Sequence, residues 1–265
     1  MRALHTAATG MMAQELNVQV ISNNIANMRT TGYKRQRAEF QDLLYQHVRR
    51  VGTQTSDQGN ILPAGIELGS GVKTVGTPRL MTQGSLVQTG KDYDIAIRGE
   101  GFFKILLPDG RTSYTRDGSF ELDAQGRLVT AQGNVVQPGL TIPQNATSIA
   151  INAQGQVMVT PPGSTTPTQA GQIQVAVFVN KSGLQGIGDN LFLETPSSGT
   201  PQLGTPSTLG FGSLLQSSLE QANVSMVERM AQLTDLTRAL EALQRAVSVQ
   251  MNDIDGRAID VLGRR

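Results

Sequence analysis

The sequence predicts an α+β protein whose two ends are helices paired as a coiled coil, with an extended connector and a β-rich body inserted between them. Three observations predict it. Apolar residues recur every seven positions at both chain ends. The middle alternates apolar and polar residues and carries turn dipeptides. Neither terminal segment has enough apolar surface to form a core alone, so the two seams most simply face each other.

The first element covers residues 1–30. Leu4, Met11, Val18 and Ile25 form one heptad row; Ala7, Gln14, Ile21 and Met28 form the other. Only Gln14 is polar, which argues for a helix with one narrow seam. Thr30, Thr31 and Gly32 stop it, with glycine available for a left-handed cap. Residues 31–72 have a mixed pattern and are expected to be an extended connector with a hairpin. Thr31, Gly32, Tyr33, Lys34, Tyr45 and Pro63 are its marker residues.

Residues 73–214 read as β. DIAIRGEGFFKILL (94–107) alternates and then runs apolar, and Asp109-Gly110 and Asp117-Gly118 follow as turns. LDAQGRLVT (122–130) is echoed by INAQGQVMVT (151–160), so two similar hairpins are expected. QIQVAVFVN (172–180) is a further strand. Pro, Gly, Ser and Thr dominate 160–171 and 195–213, which read as loops.

The last element covers residues 215–265. Leu219, Met226, Leu233, Leu240, Val247, Ile254 and Val261 continue one seven-residue ladder, supported by Leu236 and Leu243. Arg229, Gln250 and Arg257 interrupt its second row. No Gly or Pro falls between Ser213 and Asp255, and Ser217 with Glu220 matches a capping box. One helix from about 215 to 262 is expected.

Catalytic patterns fail residue by residue. GSLVQTGKD (84–92) has five residues between its glycines and an Asp after the Lys, which a phosphate loop does not tolerate. Gly99-Glu100-Gly101 lacks the third glycine of a dinucleotide fingerprint. His5 and His47 are too few for a metal site. Asp92 and Asp94 share a strand face, as charged residues at strand edges commonly do. No catalytic, cofactor or metal site is expected. The net charge of +1 gives no signal for nucleic acid. The chain has no cysteine, which suits an oxidising compartment. No stretch is long enough for a membrane span, and the first 27 residues do not read as a cleaved signal peptide.

The outer flank of the first helix raises the functional question. From Leu16 to Met28 no side chain is ionisable; the polar positions are Asn17, Gln19, Ser22, Asn23, Asn24 and Asn27. Water-exposed helices normally carry charge. An amide satisfies its hydrogen bonds inside a protein contact, whereas a lone buried charge costs several kcal/mol. The expectation is a helix covered on both faces, by the chain's own C-terminal helix and by neighbouring copies. The bland alternative is a helix tucked against the chain's own β body. The C-terminal helix instead carries ladders, Asp235, Arg238, Glu241, Arg245 and Asp253, Arg257, Asp260, Arg264, which belong in water. Paired ends engaging different neighbours make a head-to-tail, helical polymer. Subunit packing is therefore expected from Leu4, Met11, Asn17, Val18, Ile21, Asn23, Asn24, Ile25, Asn27 and Met28, with Leu219, Met226, Leu233, Leu240, Val247 and Ile254. A second class of reading is an extracytoplasmic β-rich carbohydrate-binding module or enzyme with helical arms.

ATGMMAQELNVQVISNNIANMRTTGYKR (8–35) resembles the N-terminal signature of the flagellar rod and hook family of axial proteins. The resemblance continues through RAEFQDLLYQ (37–46), LPAGIELGSGV (62–72), TQGSLVQTG (82–90), IAIRGEGFFKI (95–105) and PDGRTSYTRDGSFELDAQGRLVT (108–130). It implies a coiled-coil domain D0 from both termini, a connector, and an outer β-rich domain D1. It implies a non-enzymatic subunit of the distal rod, with the proximal rod or hook as the alternative placement, polymerising into a hollow, rigid shaft that carries torque. The implied partners are other copies in a helical homopolymer, proximal rod proteins, the hook protein, the peptidoglycan-ring and outer-membrane-ring proteins, and the flagellar type III export apparatus. No cofactor, nucleic acid or direct membrane insertion is implied. The implied location is the basal body, across the periplasm, reached without a cleaved signal peptide. One departure stands out: LTRALEALQRAVSVQMNDIDGRAIDVLGRR lacks the family's usual Gln-Arg-Ala-Tyr-Glu and Asn-Ser-Lys runs.

Overall fold

A computed structural model of the chain describes residues 2–49, 64–143, 145–146, 148–163 and 166–262; among side chains, those of Arg2, Gln250 and 252–262 are outside the description. The chain divides into two compact units. Unit 1 combines Met1–Ile25, Gln36–Pro78 and Met226–Arg265; unit 2 combines Ala26–Arg35 with Arg79–Ser225.

Unit 2 is built on a nine-stranded antiparallel sheet. Its centre is Phe102–Leu106, which pairs with Thr112–Thr115 on one side and with Val135–Val136 and Val175–Val177 on the other. Successive residues of a strand point to opposite faces, so Phe102 and Phe103 enter different cores. Phe103 joins Ile95, Ile97, Ile105, Phe120 and Leu128 in the larger one. Phe102 joins Tyr114, Phe178 and Phe192 in the smaller, with ring centroids 4.8 to 6.1 Å apart and edge-to-face.

The repeated Ala-Gln-Gly segments form matching hairpins. Phe120–Leu122 pairs with Leu128–Thr130, and Ser148–Ile151 with Gln156–Thr160. In the first turn Asp123 Oδ1 accepts from the amides of Gln125 and Arg127, at 2.9 and 2.7 Å. In the second, Asn152 Oδ1 accepts from Gln154 and Gln156, at 3.1 and 2.9 Å. The two segments read as loops are partly strand: Thr168–Gln172 and Gln202–Gly204 both pair in sheets.

The main correction falls at the start of the C-terminal element. The expected helix from 215 begins instead at Met226. Ser213–Gln216 pairs with Ile95–Arg98, and Ser218–Glu220 with Leu86–Gln88. Leu219 is thus a half-buried strand residue, not the first rung of a helical ladder. Ser217 has φ +54°, which breaks any helix there. Glu220 is no capping residue but a buried carboxylate. Leu214 and Glu220 are worth more inside unit 2 than in an isolated helical turn, so tertiary burial overrides local propensity.

Unit 1 contains α1 (Arg2–Ala26) and α2 (Met226–Leu262). The connector contributes two ribbons, Glu39–Asp42 with Val72–Gly76 and Tyr45–Arg49 with Ile66–Gly69. Thr9 lies under Gly71, where a Cβ would come within 2.3 Å of its Oγ1.

Candidate assembly interface

Unit 1 is poorly sealed. Its buried apolar side chains, among the described residues, are Ala13, Val20 and Ile21. Against these stand Met12, Leu44, Tyr45, Val48, Ile66, Leu68, Met226, Val227 and Met230, all exposed. Every residue of the ribbon Tyr45–Arg49 and Ile66–Gly69 is exposed. A two-stranded ribbon open on both faces is marginal in water. Between the helices, Asn17, Val20 and Ile21 of α1 and Arg229, Gln232 and Leu236 of α2 line one groove of about 440 Å³, closed at the side by Gln36–Ala38 and Phe40.

The heptad rows are half right in phase. Ile21 is buried, whereas Leu4, Met11, Val18, Ile25 and Met28 are half-buried. The covered stripe of α1 runs through Ala13, Val20, Ile21 and Asn24, because the connector as well as α2 packs along it. On α2, Leu233, Leu240 and Val247 are half-buried, together with Leu236 and Leu243. Met226 is exposed, and the side chain of Ile254 lies outside the described residues.

The amide series divides. Asn24 is 1% exposed. Its Nδ2 donates to Gln36 O at 2.8 Å and its Oδ1 accepts from Gln36 N at 2.9 Å. It thereby substitutes for a β-partner and clasps the connector to the helix. Asn23 is exposed, Asn17 is half-buried, and Asn27 Oδ1 accepts from Thr30 Oγ1 at 3.2 Å. Asn24 is thus covered by the chain's own connector, not by the β body that the bland alternative named.

The Thr31-Gly32-Tyr33-Lys34 run belongs to unit 2, where it is an anchor. Gly32 has φ +68°, and its amide donates to Glu220 O at 2.7 Å. An added Cβ would lie 2.7 Å from the backbone of Arg116 and Asp117. Lys34 Nζ reaches Glu220 Oε1 at 2.5 Å with both side chains fully buried, and donates to Thr82 O at 2.9 Å. Arg116 Nε faces Glu220 Oε2 at 3.5 Å, and its guanidinium lies 5.7 Å from the Phe102 ring centroid. Burial holds Lys34 and Arg116 below their usual values, and the Glu220 carboxylate opposes the fall. Asn223 completes the anchor: its Oδ1 accepts from Arg35 N at 2.8 Å, and its Nδ2 donates to Leu80 O at 2.8 Å. Gly32→Ala is expected to cost unit 2 at least about 2 kcal/mol, from left-handed strain plus the clash, read as a lower urea midpoint.

Tyr45 sits on the exposed ribbon, and Pro63 lies outside the described residues. Sequence reasoning missed Arg116, and it gave Glu220 the wrong role. An Arg placed before an Asp-Gly turn was the available signal for the first; nothing local marked the second.

Residues 4–34 match the model described as flagella basal body rod protein. Residues 96–159 match the flagellar hook protein FlgE/F/G D1 domain, and 215–260 the flagellar basal body rod FlgEFG protein C-terminal region. Flagellar basal-body rod protein FlgG of Caulobacter vibrioides is 52% identical over 248 residues, covering 94% of this chain and 95% of the relative. That of Borreliella burgdorferi is 44% identical over 254 residues, covering 95% and 96%. Flagellar hook protein FlgE of Helicobacter pylori is 42% identical over 139 residues, 52% of this chain but 19% of its own length. With anchor, hairpins and paired terminal segments in place, the chain belongs to the flagellar rod and hook family of axial proteins, as a structural subunit of the distal rod.

Proposed function

We propose that this rod subunit polymerises head to tail through unit 1 into a hollow helical shaft that carries torque to the hook. The observation that carries the reading is the contrast between the units: unit 2 has two dry cores, while unit 1 leaves its ribbon and one flank of each helix open. Large exposed apolar surface on a soluble chain marks an interaction face. The packing set is the stripe of α1 with Asn17, Asn23 and Asn27, the half-buried row of α2, and the ribbon that starts at Tyr45. The subunit acts without catalysis. Its further partners are proximal rod proteins, the hook protein, the peptidoglycan and outer-membrane rings that surround the shaft where it spans the periplasm, and the type III apparatus that exports it. Among the described residues no helix is long and apolar enough to cross a membrane.

The test is assembly of the purified full chain at rising concentration, followed by electron microscopy and far-ultraviolet circular dichroism. Filaments are expected above a threshold concentration, with helical signal rising as they form, because each terminal helix needs its neighbours. A chain that stays monomeric at millimolar concentration, with fully ordered helices, overturns the reading. Replacing Leu68 and Val48 by Ser is expected to raise the threshold at least about tenfold, since burying each contributes roughly 1.5 kcal/mol or more, and to leave the unit 2 melting transition in place.

A further inference from the structure

Arg79 is a cation without a counter-charge. It begins the main segment of unit 2 and is half-buried. Its guanidinium carbon lies 5.5 Å from the centroid of the Phe192 ring. The backbone of Gly186 also lies close to it: a Cβ added there would meet Nη1 at 2.7 Å and Nη2 at 2.8 Å. The head group thus lies against an aromatic ring and a glycine backbone. Among the described residues no carboxylate or hydrogen-bond acceptor touches it. Beside it opens a cleft of about 180 Å³, walled by Asn27, Tyr33 and the 186–192 hairpin. Burial raises the Tyr33 hydroxyl above its ordinary value while Arg79 pulls the other way, so near neutrality the hydroxyl stays a proton carrier and repels no anion. A planar guanidinium that lines a cleft and has no ion pair among the described residues matches the two-oxygen geometry of a carboxylate.

We propose that this cleft receives a carboxylate side chain from a second copy of the chain. The inference rests on the polymer reading above. Four facts favour another copy. The acids of unit 2 with an ion pair are committed elsewhere: Glu220 to Lys34 and Arg116, Glu100 to Lys181, Glu121 to Lys91, Asp109 to Arg111 and Asp123 to Arg127. Asp189, the acid on the cleft rim, is exposed and makes no ion pair with Arg79. Asn27, which forms one wall, is the last of the uncharged amides that follow one another along the flank proposed to meet neighbours. The chain carries 22 basic and 21 acidic residues, so a copy of itself has acids to offer.

The experiment compares purified full-length wild type, Arg79→Gln and Arg79→Lys. Tyrosine near-ultraviolet dichroism is expected to show the same unit 2 melting curve for all three, within a few degrees. Arg79→Gln is expected to need on the order of tenfold more protein for half-maximal filament formation. Arg79→Lys should fall between, because it keeps the charge and loses the two-point geometry. Filaments of Arg79→Gln at the wild-type threshold overturn the proposal. So does a marked loss of monomer stability in Arg79→Gln, which makes Arg79 a packing residue for Phe192. Normal purified filaments with rods missing in cells also overturn it, by placing the carboxylate on a different protein. Failure of the wild type itself to assemble is a separate result: it removes the polymer reading, and this inference with it.

Discussion

Glu220→Gln is expected to unfold unit 2 under conditions where the wild type is stable. The buried cluster contains two cations, Lys34 and Arg116, and one carboxylate. Removing that carboxylate leaves both positive charges in a site with almost no solvent access. Breaking a buried pair from one side costs roughly 3 to 5 kcal/mol, a large share of a domain's net stability. Lys34→Met makes the contrast. It leaves one guanidinium facing one carboxylate, and an apolar side chain of similar length fills the space, so its cost is expected to stay within about 1 to 2 kcal/mol. Urea unfolding followed by tyrosine dichroism checks both, since Tyr33, Tyr93 and Tyr114 all lie in unit 2. Equal effects of the two substitutions would contradict the charge argument.

The same cluster gives a pH dependence with a definite sign. Burial lowers Lys34 from 10.5, against the pull of Glu220. A lysine with a depressed folded value binds its proton more tightly when unfolded, so stability is lost as pH falls through the folded value and regained as pH rises toward 10.5. In Glu220→Gln the opposing pull is gone and Lys34 falls further. The deficit of that variant is therefore expected to shrink as pH is raised from 7 toward 10.

Asn24→Asp is expected to abolish filament formation while leaving the unit 2 transition unchanged. The amide makes both hydrogen bonds to the Gln36 backbone in a site that is 1% exposed. Aspartate keeps the acceptor and loses the donor, which sets a carboxylate oxygen against the Gln36 carbonyl. An unsatisfied, desolvated group of this kind costs roughly 2 to 4 kcal/mol, and unit 1 has little core to absorb it. Asn23→Asp separates the two explanations for the amide flank. Asn23 is exposed, so the monomer should tolerate the charge, whereas a neighbouring copy lying against it should not. Normal filaments from Asn24→Asp would show that the clasp is dispensable for packing.

How much was legible in the sequence depends on the range over which the physics acts. The β hairpins were legible because a turn and its flanking strands lie within ten residues, and the Asp123 and Asn152 turns repeat the same local bonds. The helices were legible from period, but their phase and ends were not. Leu219 sits seven before Met226, and Leu-Leu-Gln-Ser-Ser-Leu-Glu suits either a helix or two short strands. What decided it was Glu220 meeting Lys34 across 186 residues, an interaction invisible to any local window. The amide run signalled burial at one position only, Asn24, since Gln19, Ser22 and Asn23 are exposed. It did not say by what, and for Asn24 the answer was the chain's own connector. Arg79 gave no signal at all, because its isolation exists only after Phe192 and Gly186 have folded around it.

The Lys34–Glu220 bond also sets an order of events. Unit 2 takes its first piece from residues 26–35 and its last from those up to 225, so a chain emerging amino end first holds an unmatched buried lysine until residue 220 has followed. Long sequence separation already makes such closure slow. A nascent chain therefore cannot close unit 2 until all but its final helix has been made.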